Sequence, residues 1–314
     1  MIVLNLALKL AMFVLLGIFL VRAGVLERDF TKQLSKFVMT VSLPCLILKT
    51  LWSEQFEGEV GFLLEIIAIS VALFLIMFAI GQLFYIAFGR SDMGRAVRFC
   101  ALFGNFSYVG IPVVEGLFGS SGLFIYTIYT LPLRLLYYAS PAYLLDPNYT
   151  GGKGLSWKAR IKPFLTPTTL IMPVGLFFYF TGLRMPYFFT STVDSLASIC
   201  SPLGMIICGM GMSSIRLSDL LDNFKAHAMT LMRNFIAPAV TLLFVMFLPI
   251  DNTIKHVIAI GTTIPVPSLL TVFTIQYGCS DEMCKFCSTE VFTSTLLSVL
   301  TLPMWSWIIT YFLG

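Results

Sequence analysis

Two short stretches of this sequence place anion-binding groups inside otherwise apolar runs. The first reads Phe103-Gly104-Asn105-Phe106-Ser107-Tyr108-Val109-Gly110-Ile111-Pro112. The second reads Gly261-Thr262-Thr263-Ile264-Pro265-Val266-Pro267-Ser268. Proline removes a backbone donor and clashes with the preceding turn, and glycine loosens a helix, so both stretches predict broken helices. A half-helix starting inside a membrane presents bare N–H groups and the positive end of its dipole, which attract negative charge. Asn105, Ser107, Tyr108, Gly110 and Pro112 form one candidate binding set. Thr262, Thr263, Pro265, Pro267 and Ser268 form the other.

Arg134 adds a fixed cation. It lies in Thr130-Leu131-Pro132-Leu133-Arg134-Leu135-Leu136, far from both ends of its apolar run. An arginine at such depth costs several kcal/mol or more and faces a cavity or a partner. A hairpin is expected near Ser120, with Arg134 14 residues after it and Asn105 15 before it. At 1.5 Å per residue both lie about 20 Å from the hairpin, at similar depth on consecutive helices. Arg134 then either grips a carboxylate through two parallel hydrogen bonds or serves as a structural partner to a buried carboxylate or helix carbonyls.

The elements that must position these groups follow from composition. The chain has 314 residues, of which 58% are hydrophobic and 11% charged. A soluble domain carries about 25% charged residues, so a soluble globular protein and a disordered chain are both excluded. Apolar runs long enough to cross about 30 Å of hydrocarbon fall near 3–22, 34–52, 62–88, 96–119, 121–143, 164–182, 194–213, 229–249, 256–278 and 289–312. They do not alternate as barrel strands do. The expected fold is an all-α polytopic membrane protein of ten spans.

Ten spans divide the Lys and Arg residues into fifteen in one set of loops, three in the other and two within spans, Lys9 and Arg134. The positive-inside rule then puts both termini outside. A polar stretch, 146–163, separates residues 1–145 from 164–314, with five spans in each part. An odd number per part makes the two halves inverted repeats. The breaks in spans four and nine match across the halves, and so do Leu43-Pro44-Cys45 and Ser201-Pro202-Leu203 in spans two and seven. Pro44, Cys45 and Pro202 are therefore supporting positions.

Other groups read more plainly. Glu115, five residues before the hairpin, is a boundary carboxylate that could line an outer gate. Glu65 and Glu290 fall near span ends, and His227 and His256 fall in loops. Cys279, Cys284 and Cys287 have iron–sulfur spacing but lack a fourth ligand and a soluble fold, so reduced thiols are expected, with no metal and no cofactor. Asn148-Tyr149-Thr150 is a glycosylation sequon on the inner side. Basic residues stand singly, which argues against nucleic acid. The N-terminal run has no cleavage site and reads as a retained helix.

Asn105, Gly110-Ile111-Pro112 and Phe118-Gly119 resemble the fourth-helix motif of the auxin efflux carrier family, which includes bacterial malate and malonate permeases. Pro265, Phe273, Tyr277 and Gly278 resemble its ninth-helix pattern, and Leu43-Pro44-Cys45 its second-helix signature. The resemblance spans the chain. It implies that the two broken helices cross, that a substrate carboxylate binds at Asn105, and that a transport part moves against a scaffold, elevator-like. Plant members place an asparagine in the ninth-helix break, where this chain has Thr262, Thr263, Pro267 and Ser268, so the details of anion capture do not carry over.

The expected function is secondary transport of a small organic anion, a monocarboxylate or a dicarboxylate such as malate or malonate, with Na⁺ or H⁺ as coupling ion. No nucleotide-binding loop is present, and no nucleophile–base pair or metal cluster suggests an enzyme. A bile-acid-type sodium symporter, and a receptor or channel on the same fold, remain alternatives. The expected setting is a bacterial-type cytoplasmic membrane, with lipid contacts and a homodimer as further partners.

Overall fold

A computed structural model describes residues 2–53, 60–145, 165–213, 224–277 and 279–314, and these are helical with no strand among them. In order, the helices are α1 (Ile2–Arg22), α2 (Arg28–Phe37), α3 (Leu43–Ser53), α4 (Val60–Ala87), α5 (Asp92–Leu102), α6 (Ile111–Ala139) and α7 (Pro141–Leu144). Then come α8 (Pro167–Thr181), α9 (Tyr187–Ser198), α10 (Cys200–Met212), α11 (Phe224–Leu231), α12 (Ala237–Met246), α13 (Asn252–Thr262), α14 (Leu270–Gln276) and α15 (Asp281–Leu313). Each apolar run expected from the sequence is largely helical among the described residues, with unwound segments at 103–105 and 263–269. Among the described residues six helical stretches are long and apolar enough to cross a membrane: Phe30–Trp52, Val60–Ala87, Asp92–Tyr137, Tyr187–Gly211, Met229–Met246 and Asp281–Leu313. The polar stretch 146–163, its sequon at Asn148, Gly278 and the Glu54, Glu57 and Glu59 cluster lie outside the described residues.

The 46-residue stretch Asp92–Tyr137 turns back on itself. Gly119 adopts φ 66°, ψ −156°, a conformation that a side chain would strain. A Cβ on Gly122 would overlap the Phe118 side chain, so the reversal is tight. Beyond it, Tyr126 returns to meet Phe106, and Arg134 returns to meet Ser107. The hairpin thus turns at Gly119, next to the position near Ser120 where it was expected.

Three π-helical turns interrupt the spans: Val38–Ser42, Phe106–Gly110 and Met232–Ile236. Each ends two residues before a proline: Pro44, Pro112 and Pro238. Proline offers no N–H to the carbonyl four residues back, and the wider turn accommodates the mismatch with bonds five residues long. These run from Leu43 N to Val38 O, Ile111 N to Phe106 O and Ala237 N to Met232 O. The loosened carbonyls find other donors. Trp305 Nε1 donates to Asn234 O at 2.7 Å, and Thr168 Oγ1 to Met39 O at 3.1 Å.

Pro112 and Pro265 occupy unlike places. Pro112 lies in the first turn of the half-helix after its π turn, whereas Pro265 and Pro267 lie in the unwound segment between α13 and α14. Asp251 caps α13, and the Thr253 hydroxyl, followed by the Thr253 N–H at 2.7 Å, holds its carboxylate below the usual carboxylate range.

Helices α1 and α10 pack in backbone contact. A Cβ on Gly17 would overlap Ile206 O, and one on Gly209 would overlap Val14 O. Small residues let membrane helices approach to backbone contact. Gly209→Ala is therefore expected to lower stability by about 1–3 kcal/mol through overpacking. A thermal unfolding midpoint in detergent unchanged from wild type would contradict this packing.

Candidate functional site

The two breaks meet through the backbone: Asn105 N–H donates to Pro265 O at 2.8 Å. Asn105 also caps its own half-helix, its Oδ1 accepting from Tyr108 N–H at 3.2 Å. Its amide nitrogen reaches across to Ser268 Oγ at 2.7 Å and to Cys208 Sγ, on α10, at 3.7 Å. Ser268 Oγ lies 2.9 Å from the same sulfur. Because Ser268 accepts from Asn105, its own proton is directed elsewhere, toward Cys208 or a ligand.

A small cavity of about 20 Å³ opens at this junction, lined by Asn105, Ser107, Tyr108, Arg134, Pro267 and Ser268, with Met39 and Tyr137 closing its sides. Arg134 is only 2% exposed. Its Nε donates to Thr130 Oγ1 at 3.1 Å and its Nη1 to Ser107 Oγ at 3.3 Å. Neighbouring hydroxyls thus hold the guanidinium in place. Met39 comes from the π turn that Pro44 terminates, which gives the second-span motif a positioning role.

Not every expected residue arrives here. Thr262 and Thr263 bond back to Ala259 O and Ile260 O at 2.8 and 2.7 Å. They close the end of α13 and do not line the cavity. Short hydroxyl side chains satisfy nearby carbonyls in this way, so their presence at a break does not by itself mark a ligand site. Gly110 and Gly261 serve packing, since a Cβ on either would overlap the Tyr126 side chain. Pro112, Glu115 and Pro202 line a separate, larger cavity of about 340 Å³ with Lys9 and Lys49. Glu115 is exposed and Cys45 is half-buried. The seven cysteines are free thiols, and no group of three metal-ligating residues occurs among the described residues.

Two buried ionisable residues were misplaced by the sequence reading. Arg233, counted among the inner-loop cations, is 3% exposed inside the π turn Met232–Ile236. Its Nε donates to Ile264 O at 3.2 Å and its Nη1 to Ala101 O at 3.5 Å. It therefore ties the end of α5 to the second break. A Cβ on Gly104 would overlap its Nη2, so Gly104 makes room for the guanidinium. A signal was present: Arg233 falls within the expected run 229–249. Glu290, expected near a span end, is 0% exposed, because α15 begins at Asp281 and carries it inward. His227 and His256, expected in loops, stand on α11 and α13.

The family profile described as "Membrane transport protein" matches residues 2–145 and 155–306. An uncharacterized transporter of Methanocaldococcus jannaschii is 25% identical over 326 residues, covering 98% of this chain and 99% of the relative. An uncharacterized transporter of Methanothermobacter thermautotrophicus is 26% identical over 304 residues, covering 95% and 96%.

Proposed function

This chain belongs to the membrane transport protein family, in which the auxin efflux carriers fall, and from that premise we propose that it is a secondary carrier of a small organic anion. The observation that carries the proposal is the junction itself. Arg134 and the Asn105–Ser268 pair border one cavity at the meeting of two broken helices. The guanidinium supplies charge, the Ser268 hydroxyl and the start of the half-helix at Phe106 supply donors, and low surrounding polarity strengthens each contact. One buried guanidinium beside hydroxyl and amide donors suits a carboxylate, so the proposed substrate is a mono- or dicarboxylate such as malate or malonate.

The proposed architecture is ten spans in two inverted five-helix halves, 1–145 and 164–314. An equivalence between halves supports it. Val266 N–H donates to Ser294 Oγ at 3.1 Å, and these residues stand 159 and 160 positions after Ser107 and Arg134, which also touch. Alternating access would then come from one part moving against the other, with an apolar cleft lined by Leu10, Val14, Phe292 and Leu296 filled by lipid. Removing Arg233 from the loop count leaves fourteen inner cations against three outer ones, which supports a cell-membrane protein with both termini outside.

Counterflow in proteoliposomes tests the function. Vesicles loaded with malate, malonate or indole-3-acetate are expected to take up the labelled acid in exchange. Binding of an acid without exchange would replace the carrier with a receptor.

A further inference from the structure

Glu290 is a buried carboxyl that the proposed anion cavity leaves unused. It lies on α15, fully enclosed. Its Oε1 accepts from Thr230 Oγ1, on α11, at 3.2 Å. Its Oε2 is buried and has no hydrogen-bond partner. Among the described residues no Lys, Arg or His lies at ion-pair distance from it.

Its surroundings connect it to the junction. Thr230 is one turn before Arg233, which ties Ala101 O to Ile264 O. Ser294 is one turn after Glu290, donates to Asn234 Oδ1 at 2.8 Å and accepts from Val266 N–H at 3.1 Å. The carboxyl therefore sits between the two segments that secure the second break. The titratable groups around it are few. Cys100 comes from α5 and Cys287 from α15 itself, and Arg233 approaches Cys100 rather than the carboxyl. On α11, His227 precedes Thr230 by one turn and is half-buried, and on α15, Lys285 lies toward the exposed start of the helix. The ionisable groups of α13, Lys255 and His256, are near its other end, and α12 and α14 have none.

A buried carboxylate without a countercharge is strongly disfavoured, and the neutral acid avoids that cost by keeping its proton. The bare Oε2 is where that proton resides. A metal cation would need several oxygen ligands, but the carboxyl's hydrogen-bond partner is the Thr230 hydroxyl, and Asn234 Oδ1 and Ser294 Oγ already bond one another. We propose that Glu290 is a proton-binding site that couples transport to a proton gradient. The step breaks one O–H bond: the proton passes to water when the Thr230 side of the carboxyl opens, and the carboxylate stays until a proton returns. This role rests on the carrier reading of the cavity.

Two measurements on the full-length protein test it. Infrared difference spectra of purified protein across roughly pH 5 to 10 are expected to show a protonated-carboxyl C=O band that titrates in wild type and is absent from Glu290→Gln. Proteoliposomes with labelled malate, a gradient of about one pH unit and the membrane potential clamped near zero are expected to accumulate it about tenfold in wild type, the limit for one proton per anion. Glu290→Gln is expected to keep malate counterflow but lose the gradient-driven accumulation. Glu290→Asp keeps a carboxyl and is expected to retain both signals, at a shifted pH, which separates loss of the proton from loss of the fold. A band that persists unchanged across the range, or full accumulation by Glu290→Gln, overturns the proposal. Absence of malate counterflow in wild type removes the coupling role with the carrier reading, and a band that still titrates distinguishes that result from failure of the proton site.

Discussion

Arg134→Gln is expected to lower carboxylate exchange about 10- to 100-fold while leaving the thermal unfolding midpoint near that of wild type. A hydrogen bond to a charged group contributes about 1.5–3 kcal/mol, and each 1.4 kcal/mol is about tenfold in affinity. Glutamine removes the cation but keeps a polar side chain for the hydroxyls of Thr130 and Ser107. Thr130 also has Tyr126 O within 2.8 Å, so its hydroxyl remains satisfied. Arg134→Lys is expected to recover little, because a point charge cannot reproduce the planar fork that spans Thr130, Ser107 and the cavity. Exchange assays paired with thermal unfolding in detergent measure both halves of the expectation. Wild-type exchange by a folded Arg134→Gln protein would remove the anion site from this cavity.

Arg233→Met should show the opposite balance. Its guanidinium satisfies two buried carbonyls, Ile264 O and Ala101 O, that belong to different broken helices. Leaving each unpaired costs about 1–3 kcal/mol, so a loss of about 2–6 kcal/mol is expected, a large fraction of the stability of any domain. Gly104→Ala should act in the same direction from the other side, because its methyl group would displace the same guanidinium. The readout is the unfolding midpoint; a wild-type midpoint in Arg233→Met would mean that these carbonyls find other donors. The two arginines, 99 positions apart in sequence and both buried, are thus separable by experiment. One is assigned to the ligand and the other to the junction.

Part of this was readable from residue order. Apolar run length predicts helices because about 20 residues are needed to cross hydrocarbon, and each run is largely helical outside the two breaks. Arg134 is legible at depth because a helical hairpin is nearly symmetric about its turn, and Arg134 meets Ser107 across it. The reading of Arg233 failed because counting basic residues assigns each one to a loop unless it lies deep in a run. Glu290 was misjudged for a different reason. Asp281, Glu282 and Lys285 make the first turns of α15 polar, so the apolar run starts eight residues after the helix does. A residue near the edge of the run is therefore well inside the helix. Thr262 and Thr263 were misassigned because their hydroxyls serve their own backbone, a preference that residue type alone does not reveal.

The three proline-terminated turns also change how this chain tolerates length. An extra residue in a helical turn advances every later side chain by about 100° around the axis, a phase slip between the two parts of one span. Below each slip the helix keeps one lipid-facing stripe, and above it another. Met39, Ser107 and Arg233 all sit within these slips. Deleting a single residue there would leave the hydrophobic character of the span almost untouched, yet rotate the following half-helix and turn its polar face away from its neighbours. Helical wheels drawn through such a span mix two faces, so its inward side is legible only when the wheel is restarted at the proline.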